Sequence, residues 1–151
     1  MNTQLFFLAF LILLSGIFSA AEIALFIMSP SKVRALVEQK KRHARILANI
    51  KTKPQHLLIA ILIGSNLVNI GASALATVIA IDRFGSYGVG IATGVMTFLI
   101  LFFGDIIPKS YAQKYAENVA LRVAPLMRVV MFVLSPMIVM MNALTTGLHR
   151  I

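Results

Sequence analysis

The run Phe103-Gly104-Asp105-Ile106-Ile107-Pro108-Lys109 sets a carboxylate and a proline at the end of a long apolar stretch. An ionisable side chain beside membrane-embedded backbone is costly, which makes Asp105 a functional candidate by default. Pro108 lacks the N–H that would bond the carbonyl four residues back, here that of Gly104. A free carbonyl next to a carboxylate, with no side chain at Gly104 to shield it, offers two hard oxygens to a cation. Two more polar sets lie in apolar surroundings. Ser15 and Ser19 are four apart and Glu22 comes three later, so all three share one helical face. Ser65, Asn66 and Asn69 form the other set. Every donor is oxygen (hydroxyl, amide, carboxylate, carbonyl), which suits Mg²⁺, Ca²⁺ or Na⁺ rather than zinc or copper.

Each set also has a plainer reading. A serine in a helix often bonds a carbonyl one turn back. Asn66 and Asn69 suit helix–helix hydrogen bonding as well as they suit a cation. Glu22 is either a ligand or an anchor to a Lys or Arg of the basic linker after it. Lys109, four residues beyond Asp105, is a possible counter-charge to it.

The elements that carry these residues are set by composition. The chain is 59% hydrophobic and only 13% charged, with a mean hydropathy of +0.89. Ordinary globular domains hold about 25% charged residues, so this is an all-α integral membrane protein. Three apolar stretches reach the roughly 20 residues a span requires: Leu5 to Met28, Leu57 to Ile81, and Tyr87 to Ile107. Gly88, Gly90 and Gly94 open the third and suit tight helix contact. Val119 to Leu148 contains Arg122, Pro125, Arg128 and Pro136. That content favours a bent, interfacial or re-entrant hairpin over a fourth span.

The net charge of +9 is concentrated between the first two spans, in Lys32, Arg34, Lys40, Lys41, Arg42, Arg45, Lys51 and Lys53. The positive-inside rule places this linker in the cytoplasm, the N-terminus outside and the C-terminus inside. The excess is a topology signal and a contact for anionic lipid headgroups, not a nucleic-acid surface. Residues 31–50 alternate apolar and basic at helical spacing, which predicts one or two amphipathic helices on the inner membrane surface. Ser110–Asn118 reads as another short amphipathic helix. Leu5–Leu14 resembles a signal-peptide core followed by Ser19-Ala20-Ala21. The n-region carries no Lys or Arg, however, and cleavage would export the basic linker.

At about 1.5 Å per residue, Ser15 lies roughly 15 Å from the outer end of the first span and Asn66 about as far from the inner end of the second. Asp105 lies about 25 Å along the third. The polar sets therefore meet between mid-membrane and the inner leaflet. The absence of cysteine excludes thiolate sites and disulfides. His43, His56 and His149 lie in or beside polar linkers and ends, so Ser/His/Asp catalysis has no histidine at the right depth, and the chain does not read as an enzyme.

Three motifs, in order, resemble the transmembrane (DUF21) domain of the CorC/CNNM magnesium transporters. They are Ser15-Gly16-Ile17-Phe18-Ser19-Ala20-Ala21-Glu22, Leu62-Ile63-Gly64-Ser65-Asn66-Leu67-Val68-Asn69-Ile70, and Phe103 to Lys109; Leu134-Ser135-Pro136 extends the match. The resemblance implies a homodimer of three-helix protomers with juxtamembrane helices on the cytoplasmic side of the cell membrane. It also implies Mg²⁺ export driven by Na⁺. Carried over, Ser19, Asn66 and Asn69 become side-chain ligands and Gly104 a backbone ligand. Asp105 takes the acidic position, Ser15 and Ser65 line the cavity, and Pro108 keeps the third helix broken. The family pattern has glutamate where this chain has Asp105, a reach shorter by about one methylene. Full-length members continue into nucleotide-binding cytosolic CBS domains; the expectation here is a single transmembrane domain over 1–151 without them. Two other classes stay open: an exporter of organic cations such as polyamines, and a non-transporting membrane sensor or scaffold.

Overall fold

The computed structural model describes residues 2–148, and among these all regular structure is helical. Helix α1 (Asn2–Ile27) carries no charge before Glu22. Its outer face, with Leu5, Phe6, Phe7, Phe10 and Leu13, is exposed, while Ser15, Phe18, Ser19, Ala21, Ala24 and Leu25 are buried. A helix that is apolar all round, with its small residues turned inward, is the pattern of a span packed through its small-residue face.

Ser29 then caps α2 (Pro30–Glu38), its hydroxyl accepting the Lys32 N–H at 3.3 Å. A tight turn, with Lys40 and His43 at positive φ of 54° and 63°, leads into α3 (Ala44–Lys51). Of the one or two helices predicted over 31–50, two are present, and they bury Val33, Leu36, Ala44, Leu47 and Ile50. His43 Nδ1 donates to the Leu121 carbonyl at 3.2 Å, which ties this linker to α7 (Ala116–Val133). Lys51 does something the sequence did not signal. Its ammonium donates to the carbonyls of Leu25 and Met28, at 2.6 and 2.5 Å, and so closes the end of α1. A cation there also meets the negative end of the helix dipole, although burial lowers the lysine's pKa below its ordinary value.

Helix α4 (Pro54–Phe84) ends at Gly85, whose φ of +61° turns the chain through a short 3₁₀ segment into α5 (Gly88–Leu99). The two arms pack back to back, with Ala72, Ala76 and Ala80 of α4 and Gly88, Ala92 and Met96 of α5 all buried. Only Gly88 makes the close contact expected of three glycines; Gly90 and Gly94 face open space. From Leu99 the helical path widens into a π-helix over Ile100–Ile106 and resumes as α6 (Ile107–Lys114). The short helix predicted over 110–118 is instead divided. Tyr115, at φ −120° and ψ 39°, ends α6, and Ala116 starts α7. Pro125 lies inside α7 without breaking it. The bend of the last segment comes later, where α7 meets α8 (Ser135–Leu148) at 66°.

The main core gathers at the linker end, where Phe18, Ala21 and Leu25 of α1, with Met28 just beyond it, meet Leu36, Leu47, Leu57, Ile61, Ala120, Ala124 and Met127. By length and composition two helical stretches suffice to cross a membrane, Thr3–Ile27 and Pro54–Lys114. The bent pair Ala116–Val133 and Ser135–Leu144 makes a third if it counts as one span. The second stretch folds back on itself at Gly85 and so presents two apolar arms.

Candidate cation site

The polar face of α1 is pressed between α4 and the π segment. Ser15, 1% exposed, donates from Oγ to Asn69 Oδ1 at 2.6 Å. One turn along, Ser19 Oγ donates to Asp105 Oδ1 at 3.0 Å. These are the two cross-helix contacts that bring the three polar sets together, and each joins residues more than fifty positions apart.

Glycine makes the approach possible on both sides. A Cβ at Gly104 would lie 2.8 Å from Ser15 Oγ, and one at Gly16 would lie 3.0 Å from Pro108 Cγ and 3.2 Å from the Phe103 carbonyl oxygen. Gly104→Ala is therefore expected to push Ser15 off Asn69 and to lower stability by about 1–3 kcal/mol, the usual cost of overpacking. With the hydroxyl gone, the nearest remaining atom is Ser15 Cβ at 3.5 Å, an ordinary contact. Thermal unfolding in detergent should thus show Ser15→Ala relieving part of the Gly104→Ala loss. Strict additivity of the two would count against this contact.

Pro108 does not break the helix. Ile107 N–H bonds the carbonyl of Phe102, five residues back, so the chain reaches Pro108 already in π register. Pro108 has no N–H to offer, so it bonds neither the Phe103 carbonyl of that register nor the Gly104 carbonyl that α-helical counting would name. Gly104 owes its place to the space Ser15 needs. The wide turn also re-aims the residues beyond it, since one residue of an α-helix subtends about 100°, and Asp105 sits within it facing α1.

Asp105 has a second partner. Lys109 Nζ lies 2.8 Å from Asp105 Oδ1 and 3.4 Å from Glu22 Oε2, one ammonium against two carboxylates. Glu22 thus pairs with Lys109 on α6 and not with the basic linker. These three side chains form the open edge of the site, each a third or more exposed, whereas Ser15 and Ser19 form its closed floor.

Ser65 and Asn66 stand apart. Ser65 Oγ donates to the Leu62 carbonyl of its own helix at 3.1 Å, and Asn66, three residues before Asn69 on α4, is exposed. Neither joins the hydrogen-bonded group. Among the described residues no three of His, Cys, Asp and Glu come together; His149 lies outside them. What the fold assembles is a small oxygen-rich cluster with two carboxylates and one lysine, chemistry suited to holding and exchanging a hard cation.

The family model for the cyclin M transmembrane N-terminal domain matches residues 6–151. The chain belongs to the cyclin M transmembrane-domain family. It is 36% identical over 137 residues to the UPF0053 inner membrane protein YfjD of Escherichia coli, covering 91% of the chain and 32% of that protein. To a UPF0053 protein of Haemophilus influenzae it is 37% identical over all 151 residues, 36% of that protein. A chloroplastic DUF21 domain-containing protein of Arabidopsis thaliana is 42% identical over 113 residues, covering 75% of the chain and 17% of that protein. The chain spans about a third of the length of the two bacterial relatives. Its apolar helices and its likeness to an inner membrane protein make this cyclin M domain a multi-pass membrane protein.

Proposed function

We propose that the chain is the membrane unit of a divalent-cation transporter that exports Mg²⁺ in exchange for Na⁺. The observation that carries the reading is the pairing of Asp105 with Ser19 beside that of Asn69 with Ser15. It sets a carboxylate, an amide and two hydroxyls, all oxygen donors, between three apolar helices. Mg²⁺ sheds its water reluctantly, so a site that selects it must supply several oxygens at once. Ser19, Asn69 and Asp105 are the proposed side-chain ligands, with Ser15 lining the cavity. Asn66, three residues before Asn69 on α4, and the Gly104 carbonyl complete the proposed ligand set, with Ser65 lining the cavity beside Ser15.

The same reading carries three spans per protomer, a homodimer, the N-terminus outside and the C-terminus in the cytoplasm. Anionic lipid meets the basic linker, and cytosolic CBS domains regulate longer relatives. A second reading draws on Lys109: an alkylammonium already rests on Asp105 and Glu22, so a polyamine is chemically admissible cargo.

The deciding experiment is flux in proteoliposomes. Mg²⁺ movement should depend on an opposing Na⁺ gradient and should not be replaced by polyamine movement. Polyamine flux without Mg²⁺ flux supports the second reading. No flux of either, with the protein folded, leaves a sensor or scaffold.

A further inference from the structure

Resting on the Mg²⁺ reading above, we infer that Lys109 is a tethered cation that occupies the Asp105 carboxylate between transport events and steps onto Glu22 when a divalent ion arrives. Three observations lead there. Lys109 Nζ is 2.8 Å from Asp105 Oδ1, the same oxygen that accepts from Ser19. A divalent ion of the Mg²⁺ class binds oxygen at about 2.0–2.1 Å. An ammonium that close to the same oxygen would therefore stand against the ion's own coordination shell, like charge against like. The two cations compete for Asp105.

The lysine has somewhere to go. Glu22 Oε2 lies 3.4 Å from the same ammonium, on a different helix, so a small swing exchanges one carboxylate for the other without leaving the charge unpaired. The swing is also short, since both carboxylates lie within ion-pair distance of the one ammonium. A lysine ammonium, a compact charge with three donors on a flexible stem, suits such a role better than a guanidinium fork.

The device weakens ion binding and eases release, because Asp105 regains a positive partner as the ion departs. Removing the tethered charge should then tighten binding, while removing its resting place should loosen it. The measurement is Mg²⁺-dependent thermal stabilisation of the whole chain purified in detergent, read as the Mg²⁺ concentration at half-maximal shift. Loss of one adjacent like charge corresponds to about one unit in an ionisation equilibrium, or tenfold. Lys109→Gln and Lys109→Met are expected to lower the midpoint about tenfold, and Glu22→Gln to raise it. A lysine that merely braced the fold would weaken the response in every variant.

A midpoint unchanged or raised in both lysine variants, with the wild-type chain responding normally, overturns the tethered-cation role and leaves the Mg²⁺ site standing. A wild-type chain that Mg²⁺ does not stabilise at all overturns the site and the lysine's role together.

Discussion

Asp105→Asn is expected to weaken divalent-cation binding by about 10- to 1,000-fold, the range over which one adjacent opposite charge shifts an ionisation equilibrium. Flux should fall below detection while the protein stays folded. The substitution separates charge from shape. An asparagine Oδ1 still accepts the Ser19 hydroxyl, which now bonds Asp105 Oδ1 at 3.0 Å, and Lys109 retains Glu22 at 3.4 Å. Loss of the Asp105–Lys109 pair leaves no unpaired charge, because asparagine is neutral and Lys109 still faces Glu22. The checks are the Mg²⁺ dependence of thermal unfolding and Mg²⁺ flux in proteoliposomes. Full transport by the asparagine variant would remove Asp105 from the site. Asp105→Glu is the companion variant: it restores charge at longer reach and should keep binding.

The second large effect falls on the fold. Gly88→Ala should prevent the α4–α5 arms from closing, because a Cβ there would lie 2.4 Å from the Ala80 carbonyl oxygen, 2.5 Å from its carbon and 2.6 Å from the Ile81 nitrogen. All three are backbone atoms of the opposing arm, so no side-chain rotation relieves the clash. Overpacking against movable side chains costs about 1–3 kcal/mol; against fixed backbone the loss should reach or exceed that upper bound. The expected outcome is a sharp drop in folded yield and in melting temperature. Gly90→Ala and Gly94→Ala are the internal controls, since a Cβ at either meets nothing within 4 Å. Equal damage from all three would mean that the arms pack differently.

The glycine comparison shows how far spacing reaches. Gly88, Gly90 and Gly94 look alike in sequence. At about 100° per residue, however, Gly90 lies about 200° and Gly94 about 240° round the helix from Gly88. Gly88 cannot share a face with the other two, which lie only about 40° apart, and nothing local says which side meets α4. The same limit governs the asparagines. Asn66 and Asn69 are both amides in an apolar helix, yet Ser15 meets Asn69 while Asn66 stays exposed. Lys51 is a sharper case: it is one of eight Lys and Arg residues in the linker, and its role exists only because the ends of α1 and α3 meet.

Composition alone was enough for the membrane setting and the helical class. Lipid cannot satisfy backbone polar groups, so long apolar stretches must bond within themselves as helices. Residue types alone were enough to pick out Ser15, Ser19, Asn69 and Asp105 as candidates, because each is a polar group in surroundings that penalise it. The amphipathic linker and the bent last segment were legible for the same local reasons, periodicity and proline. Tertiary packing decided the pairings: Ser15 with Asn69, Ser19 with Asp105, Lys109 between Asp105 and Glu22. It also decided that Pro108 comes after a π turn instead of a break. The physical reason is one of degrees of freedom. A helix's chemistry and period are local properties of its chain, whereas its rotation and register against a neighbour are settled only when two surfaces close on each other.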